Sequence, residues 1–263
     1  MVSWLHDPRW RRQVVGGGDL QEITPALPAS SLRLINKATT AHTYSNAQVD
    51  DYAGLFRRAF PWQPPVRLTV RARFSHPAGE LLGTAGFGFW NAPFAVGSGQ
   101  WPTLPRAIWF FYASPPANLA LARNVAGNGW KAATLDAWRM PFLFLAPTAP
   151  LAMPLMRIRP LYRLLWPLAQ RAIGVQEALL PTTLTEWHTY TLVWGRSAAR
   201  FLVNGEVVLQ CAISPHGPLG LVIWKDNQTM TITPWGSFWH GLVACDQEQW
   251  MEIEKVETLK DEG

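Results

Sequence analysis

The chain has 263 residues, of which 48% are hydrophobic and only 16% are charged. This composition excludes an intrinsically disordered chain, and the length suits one large all-β domain. The formal net charge of +5 is compatible with an anionic partner, but the arginines at 9–12 and 157–171 match no nucleic-acid motif, so no nucleic-acid partner is expected.

Four strands are predicted in the first third of the chain, at 10–15, 31–37, 66–74 and 83–91. In 66–74 (VRLTVRARF) apolar residues alternate with arginine and threonine, which is typical of a strand with one solvated face. In 83–91 (GTAGFGFWN) small residues lie on one side and aromatic residues on the other.

The next predicted strand, RAIWFFYAS at 106–114, has no polar face. Because successive side chains point to opposite faces of a sheet, Ile108 and Phe110 share one face and Trp109 and Phe111 share the other. One face is expected in the core of a sandwich, and the second is expected to line a cleft.

The pattern changes at residue 115, and 115–182 is predicted to be a helical, proline-rich insertion. Its best helix is 160–174, where leucines recur at helical spacing, Pro167 is a predicted kink or break, and Gly174 is a predicted end. The apolar stretch 140–156 holds four prolines, which argue against a regular helix.

Strands return after residue 187, at 188–195, 199–211, 219–227 and 248–259. The pair Asn204-Gly205 predicts a tight hairpin turn inside the second of them. This order predicts a single domain over 1–263 with the insertion inside it, because neither strand block has enough elements to close alone.

Several segments resemble, in order, the concanavalin A-like jelly roll of glycoside hydrolase family 16. They are the hairpin EWHTYTLVW with RFLVNGEVV, the early strand TYSNAQVDDY, the long strand RLTVRARFS, the tryptophan segment GFWNAPF and the closing strand QWMEIEKVET. The resemblance implies an all-β fold, a concanavalin A-like jelly-roll β-sandwich carrying the helical, Pro-rich insertion.

The same resemblance does not imply the family's hydrolytic reaction. In that family the strand after the tryptophan segment carries alternating glutamate, aspartate and glutamate, and the retaining pathway needs two carboxylates about 5 Å apart. RAIWFFYAS occupies that place and has none, and no E-x-D-x-E or E-x-D-x-x-E sequence occurs anywhere in the chain. A retaining glycosidase activity is therefore not expected.

Catalytic candidates outside that motif are Glu186, His188 and Asp226. Glu186 and His188 share one strand face and would form a proton-transfer pair, although a structural hydrogen bond of His188 is favoured. Asp226 lies at a strand end. There, hydrogen bonds from its side chain that fix a turn are favoured over a role in binding a ligand in the groove. No histidine has metal-ligand spacing, so neither a metal nor a cofactor is expected.

The insertion has two interpretations. Its leucines could close over the aromatic sheet as a lid, which is favoured because it would cover the second face of RAIWFFYAS. Alternatively, 140–173 makes a peripheral membrane contact through leucine burial and the attraction of its arginines to anionic lipid.

The leading functional prediction is a binding protein for a mainly hydrophobic small molecule or lipid in an aromatic cleft. The alternatives are a carbohydrate-binding protein and an enzyme with acids from elsewhere, acting on a hydrophobic or glycan substrate. The predicted lining is Trp90, Asn91, Trp109, Phe111, Trp138, Trp224, Asp226, Trp235 and Trp239.

The two cysteines and the absence of a signal-peptide core in MVSWLHDPRWRRQ predict a cytoplasmic location, with membrane association as the alternative.

Overall fold

A computed structural model describes residues 4–24, 30–94 and 100–260. Its strands are β1 (Arg11–Val15), β2 (Gly18–Ile23), β3 (Ser31–Asn36), β4 (Asn46–Asp50), β5 (Val66–Phe74), β6 (Thr84–Trp90), β7 (Arg106–Ala113), β8 (Gly129–Asp136), β9 (Val175–Leu179), β10 (His188–Trp194), β11 (Ala199–Val203), β12 (Glu206–Cys211), β13 (Gly220–Asp226), β14 (Gln228–Ile232), β15 (Phe238–Leu242) and β16 (Gln249–Lys260). Its α-helices are α1 (Met140–Leu145), α2 (Ala149–Leu155) and α3 (Arg159–Ile173).

Two seven-stranded antiparallel sheets form the body of the protein. Sheet A has the order β1-β4-β13-β6-β7-β8-β9, and sheet B has the order β12-β11-β10-β5-β16-β3-β2. A separate hairpin, β14–β15, follows β13. The architecture is the jelly-roll sandwich predicted from the sequence.

The core lies between the two sheets and is built from alternate residues of each strand. In β5 the five apolar residues from Val66 to Phe74 are buried while the intervening arginines and threonine are not, as predicted. At the centre, the ring of Phe110 lies 5.1–6.1 Å from the rings of Phe87, Trp130, Tyr190 and Phe201. Offset and edge-on ring packing of this kind stabilises a core beyond its buried area.

The hairpin prediction is confirmed at Asn204 and Gly205, which connect β11 to β12. Both residues have positive φ, 51° and 88°, as a two-residue type I′ turn requires. The Asn204 side chain also accepts a hydrogen bond from the amide of Thr189 on the neighbouring strand β10, at 2.9 Å. The turn therefore sets the pairing of Val203 with Glu206, and the register of β11 and β12 shifts once beyond it, between Phe201 and Leu202.

The helical part of the insertion is shorter than the predicted 115–182. Helices occupy only 140–173, because β8 and β9 lie within the predicted insertion and complete the edge of sheet A. The sequence of β8, GWKAATLD, has no polar face because Lys131 lies on one face and Thr134 and Asp136 lie on the other, and all three are buried. The alternation of apolar and polar residues therefore does not predict a strand whose two faces are both covered.

Helix α3 agrees with the predicted 160–174 and ends at Gly174, whose φ of 67° is the left-handed conformation common after a helix. Of the kink or break predicted at Pro167, the break is wrong, since α3 continues through that residue. The apolar stretch 140–156 is helical in two short pieces, and α1 and α2 each place a proline in their first turn, where no amide donor is needed.

Asp51 is a buried carboxyl at the end of β4. Its oxygens accept hydrogen bonds from the Trp62 indole and from the Leu221 amide. Burial nevertheless raises the pKa of Asp51 from 3.8 to about 6. The folded state therefore holds this proton more tightly than the unfolded state, so the ionised carboxylate opposes folding above about pH 6 and stops doing so as the pH falls towards about 4.

The variant Asp51→Asn isolates this effect, because an asparagine side chain does not titrate. The unfolding free energy of the wild type minus that of the variant should rise by about 2 kcal/mol between pH 7.5 and pH 4.5. Urea denaturation of both proteins at the two pH values measures it. A difference that does not change with pH would contradict the assignment of a raised pKa to Asp51.

Candidate functional site

The two faces of β7 have different surroundings. Ile108 and Phe110 point into the core between the sheets, whereas Trp109 and Phe111 are half-buried on the opposite, outer face of sheet A. The alternation predicted for RAIWFFYAS is therefore the one found in the structure, and the second apolar face belongs to a separate cluster outside the core.

Four rings on this outer face form what we call the aromatic groove: Trp90, Trp109, Phe111 and Trp224. The ring of Trp109 lies 5.9 Å from that of Trp90, 5.5 Å from that of Phe111 and 5.4 Å from that of Trp224. Three strands, β6, β7 and β13, thus supply one continuous aromatic surface. Tyr52, Phe60 and Ala92 pack against it from loops.

Two glycines of β6 make room for these rings. A Cβ on Gly86 would lie 2.8 Å from the Trp224 ring, and a Cβ on Gly88 would lie 2.5 Å from the Cβ of Trp109. A larger residue at Gly86 would push the Trp224 indole away from the sheet, and one at Gly88 would collide with β7 at Trp109. The small face noted in GTAGFGFWN is therefore the floor on which Trp109 and Trp224 lie.

At one side of the groove, a chain of hydrogen bonds engages the polar groups of Trp224, Thr84 and Asp226 with each other. The Trp224 indole N–H donates to Thr84 Oγ1 at 2.9 Å, and the Thr84 hydroxyl donates to Asp226 Oδ1 at 2.6 Å. The Gln228 amide donates to the same carboxylate oxygen at 3.0 Å. Asp226 is buried, and burial raises its pKa. Its carboxyl ties the strand end together, as the favoured turn interpretation predicted.

A second network closes the side of the groove near Trp90. The Trp90 indole N–H donates to Tyr52 Oη at 2.8 Å, and Gln48 Nε2 donates to Asp50 Oδ2 at 2.8 Å. Asp50 is fully buried and also accepts from Gln13 and from the backbone amides of Tyr52 and Ala53. Both networks leave the carboxylates on this face engaged within the protein.

A buried ion pair lies beside Phe111 on the same face. Lys131 Nζ lies 3.2 Å from Glu177 Oε2, and both side chains are less than a tenth exposed. The loop before β8 covers them, since Leu119 accepts from Lys131 and the Ala122 amide donates to Glu177. Burial lowers the pKa of Lys131 and raises the pKa of Glu177, and the two charges oppose these shifts by stabilising each other.

Trp109 differs from the other two tryptophans of the groove because its indole N–H has no hydrogen-bond acceptor among the described residues. The indole nitrogens of Trp90 and Trp224 both donate internally, whereas no hydrogen bond is formed by that of Trp109 within the described part of the chain. The groove therefore offers a large apolar surface with one indole N–H donor from its rings.

Other predicted lining residues lie elsewhere. The prediction is wrong for Asn91, which is buried and braces a loop by donating to the Leu104 carbonyl and accepting from the Arg106 amide. Trp138 lies on the surface, where its indole donates to Leu104 and Arg106 stacks over its ring. Trp235 contacts Tyr162 of α3, and Trp239 is half exposed on β15; neither belongs to the cluster of four rings.

The three catalytic candidates are not brought together. His188 begins β10 in sheet B, where its ring nitrogens contact the Thr183 carbonyl and the Asn204 side chain, so its role is the favoured structural one. Glu186 is exposed just before that strand, while Asp226 is buried in sheet A. No cluster of three or more His, Cys, Asp or Glu side chains with metal-binding geometry occurs among the residues described.

The prediction that the leucines of the insertion bury against the aromatic sheet is wrong. Leu151, Leu164 and Leu168 are 59–74% exposed, and α1 and α2 contain no buried residue. Helix α3 instead buries Trp166 and Ala172. The exposed leucines therefore need another explanation.

Solved structures show the same architecture. A glycoside hydrolase family 16 endo-glucanase from Bacteroides ovatus is 12% identical, with 96% of each chain covered and a TM-score of 0.50. A prokaryotic β-1,3-1,4-glucanase (lichenase) derived from a mouse hindgut metagenome is 12% identical, with 97% of this chain and 95% of that chain covered and a TM-score of 0.50. The chain thus has a jelly-roll fold similar to that of glycoside hydrolase family 16. No protein-family model and no curated protein matches the sequence.

Proposed function

We propose that this protein binds a mainly hydrophobic small molecule or lipid chain in the aromatic groove. The observation that carries the proposal is the contrast on one face of sheet A: four rings form a continuous surface, while Asp50, Asp226 and Glu177 are each engaged by donors of the protein. Apolar ligands need such a surface with few oriented polar groups.

The same contrast favours an apolar ligand over a sugar. A glycan needs free carboxylate or amide groups to replace the water around its hydroxyls, and a site that buries hydroxyls without partners loses binding energy. It also favours binding over hydrolysis, because acid and base catalysis requires carboxyl groups within reach of the substrate. The indole N–H of Trp109 would orient one polar end of the ligand.

Fluorescence titration with N-phenyl-1-naphthylamine tests the proposal. Wild-type protein should bind this apolar probe, and Trp109→Ala should weaken binding by roughly 30-fold, since a central tryptophan contributes about 2 kcal/mol or more at a binding hot spot. The matched control is Trp250→Ala, because Trp250 is also half-buried but contacts Arg33 and Arg73 on the other sheet.

The control variant should bind the probe as the wild type does. Equal affinities of Trp109→Ala and Trp250→Ala would contradict the placement of the ligand in the groove. Failure of the wild type to bind the probe would contradict an apolar ligand altogether.

A further inference from the structure

The positive charge of this protein is concentrated in one part of the chain. Residues 81–176 contain eight lysines and arginines and a single carboxylate, Asp136, which gives this segment a formal charge of +7. The charge of this segment exceeds the +5 of the whole chain, so the residues outside the segment have a net negative charge. Asp136 is itself paired with Arg106 at 3.2 Å, and the segment therefore has no free carboxylate to offset its other cations.

Four of these arginines line one pocket, which we call the arginine pocket. It has a volume of about 500 Å³ and lies between the loop before β8, the helices and the β14–β15 hairpin. Arg123, Arg157, Arg159 and Arg163 surround it together with the rings of Tyr162 and Trp235. No salt bridge or side-chain hydrogen bond holds any of the four within the described part of the chain.

The four arginines of the pocket are exposed, whereas two less exposed arginines on sheet B are paired. Arg33 and Arg73 both pair with buried Glu252, at 3.1 and 3.0 Å. Like charges that share a pocket without a counter-charge repel each other, so this arrangement does not stabilise the protein. The arginine pocket is therefore arranged for an anion that comes from outside.

The helices next to the pocket expose large apolar side chains. Phe144 of α1 is 76% exposed, Leu151 of α2 is 74% exposed, and Leu164 of α3 is 67% exposed. Leu168 follows Leu164 by one helical turn and is also exposed, so the two share a helix face with Arg171. Apolar side chains interspersed with arginines are typical of helices that lie in a membrane interface.

The adjoining hairpin adds aromatic residues to this surface. The Trp235 ring lies 5.6 Å from that of Tyr162, which places the hairpin against α3. The strand that follows exposes Phe238 and Trp239. Tryptophan favours the boundary between headgroups and acyl chains, where its apolar ring and polar N–H are both satisfied.

Two other occupants fit less well. A second copy of this chain would bring together two surfaces with the same uncompensated arginines. A soluble phosphate would satisfy the arginines but would leave the leucines and phenylalanine in water. An anionic bilayer satisfies both groups, because its phosphates meet the arginines and its acyl region takes up the apolar side chains. Within the part of the chain described, no helix is long and apolar enough to cross a bilayer, so the contact would be peripheral.

We propose that the helical segment 140–173 is a docking surface for a membrane containing anionic phospholipid. The arginine pocket binds a lipid phosphate, and the exposed apolar residues of α1, α2 and α3 enter the interface. This surface shares no residue with the aromatic groove, so the variants that test membrane docking leave the groove residues unchanged.

Vesicle co-sedimentation tests the proposal. Wild-type protein should sediment with vesicles of phosphatidylcholine and phosphatidylglycerol at a 7:3 ratio, and much less with phosphatidylcholine alone. The variant Arg157→Gln/Arg163→Gln should bind the anionic vesicles at least tenfold more weakly, since each arginine near an anionic surface contributes about fivefold. Its control, Arg11→Gln/Arg200→Gln, removes two arginines that are exposed on strands outside this surface.

A second pair of variants tests the apolar part. Phe144→Ser/Leu151→Ser should also reduce sedimentation, whereas Val14→Ser/Val207→Ser, which changes exposed residues of β1 and β12, should not. All of these positions are on the surface, so folding should be preserved, and thermal unfolding checks it.

Three results would overturn the proposal: no sedimentation of the wild type, equal sedimentation with neutral and anionic vesicles, or equal losses in the variants and their controls. Titration with glycerol 1-phosphate distinguishes the source of the phosphate. If this soluble anion binds the wild type but not Arg157→Gln/Arg163→Gln, and vesicles do not sediment the protein, the pocket is a site for a soluble anion and membrane docking is wrong.

Discussion

Replacing Phe110 with alanine is expected to lower the free energy of unfolding by about 3–5 kcal/mol, whereas replacing its neighbour Phe111 should lower it by no more than about 1–2 kcal/mol. The two phenylalanines are adjacent on β7 and differ only in the face of the sheet to which they point. Phe110 is 1% exposed, while Phe111 is half-buried on the outer face.

The physical reason is the cavity that each substitution leaves. The ring of Phe110 contacts aromatic rings from both sheets, and those neighbours cannot close the space without leaving their own contacts. The ring of Phe111 contacts Trp109 and Trp224 in a groove that is partly open to water. Water can fill the space left there, so only part of the buried area is lost.

Urea denaturation of the two variants measures the difference. We expect the same dependence on urea concentration as in the wild type and a much lower midpoint for Phe110→Ala than for Phe111→Ala. Equal losses at the two positions would contradict the assignment of the two faces. A larger loss for Phe111→Ala would show that the outer cluster, rather than the inner one, is the main core.

Replacing Glu177 with glutamine is expected to lower the free energy of unfolding by about 3–5 kcal/mol, since it leaves Lys131 charged and buried without a counter-charge. Lys131→Met should have a cost of the same order, because it leaves the Glu177 carboxylate without a counter-charge. The double variant Lys131→Met/Glu177→Gln should lose much less than the sum of the two, since it removes both buried charges.

The chain offers a matched control for this double-mutant cycle. Lys37 and Asp19 lie closer together, with Nζ 2.7 Å from Oδ2, but both side chains are about half exposed. Because water screens exposed pairs, Asp19→Asn should lower stability far less than Glu177→Gln does. A Glu177→Gln variant that loses no more stability than Asp19→Asn would contradict the role of burial in this pair.

Strand alternation predicted most of the fold, because one face of most strands is buried and the other is wet. The nine residues of β5 and the turn at Asn204-Gly205 were predicted at their observed positions. Alternation gave no signal in β8, because the polar residues Lys131 and Asp136 lie on opposite faces of the strand and both are buried. The predicted insertion was too wide for this reason.

The aromatic groove could be predicted in part. The alternation of side chains along β7 placed Trp109 and Phe111 on one face. The alternate glycines of β6 could have identified the part of the sheet on which the indoles lie. The alternation of side chains along a strand could not predict the contact of Tyr52 with Trp90, since it depends on how the loop after β4 returns over the sheet. It also could not distinguish Asn91, which hydrogen-bonds the backbone of a neighbouring loop, from a residue that is free to bind.

The spacing of the leucines could not predict which side of the insertion is exposed. The helical period placed Leu164 and Leu168 together, but which side of α3 meets the protein depends on Trp166, whose burial is a tertiary property. The near absence of carboxylates over 81–176 was visible in the sequence. It is the signal that would have identified the arginine pocket.

Competition for the bound probe tests the central claim, that the aromatic groove binds an apolar ligand, most directly. With N-phenyl-1-naphthylamine bound to the wild type, a long-chain alcohol such as dodecanol should displace it, and a mixed-linkage glucan tetrasaccharide at millimolar concentration should leave it bound. Displacement by the tetrasaccharide but not by the alcohol would contradict the claim and would assign the groove to a glycan.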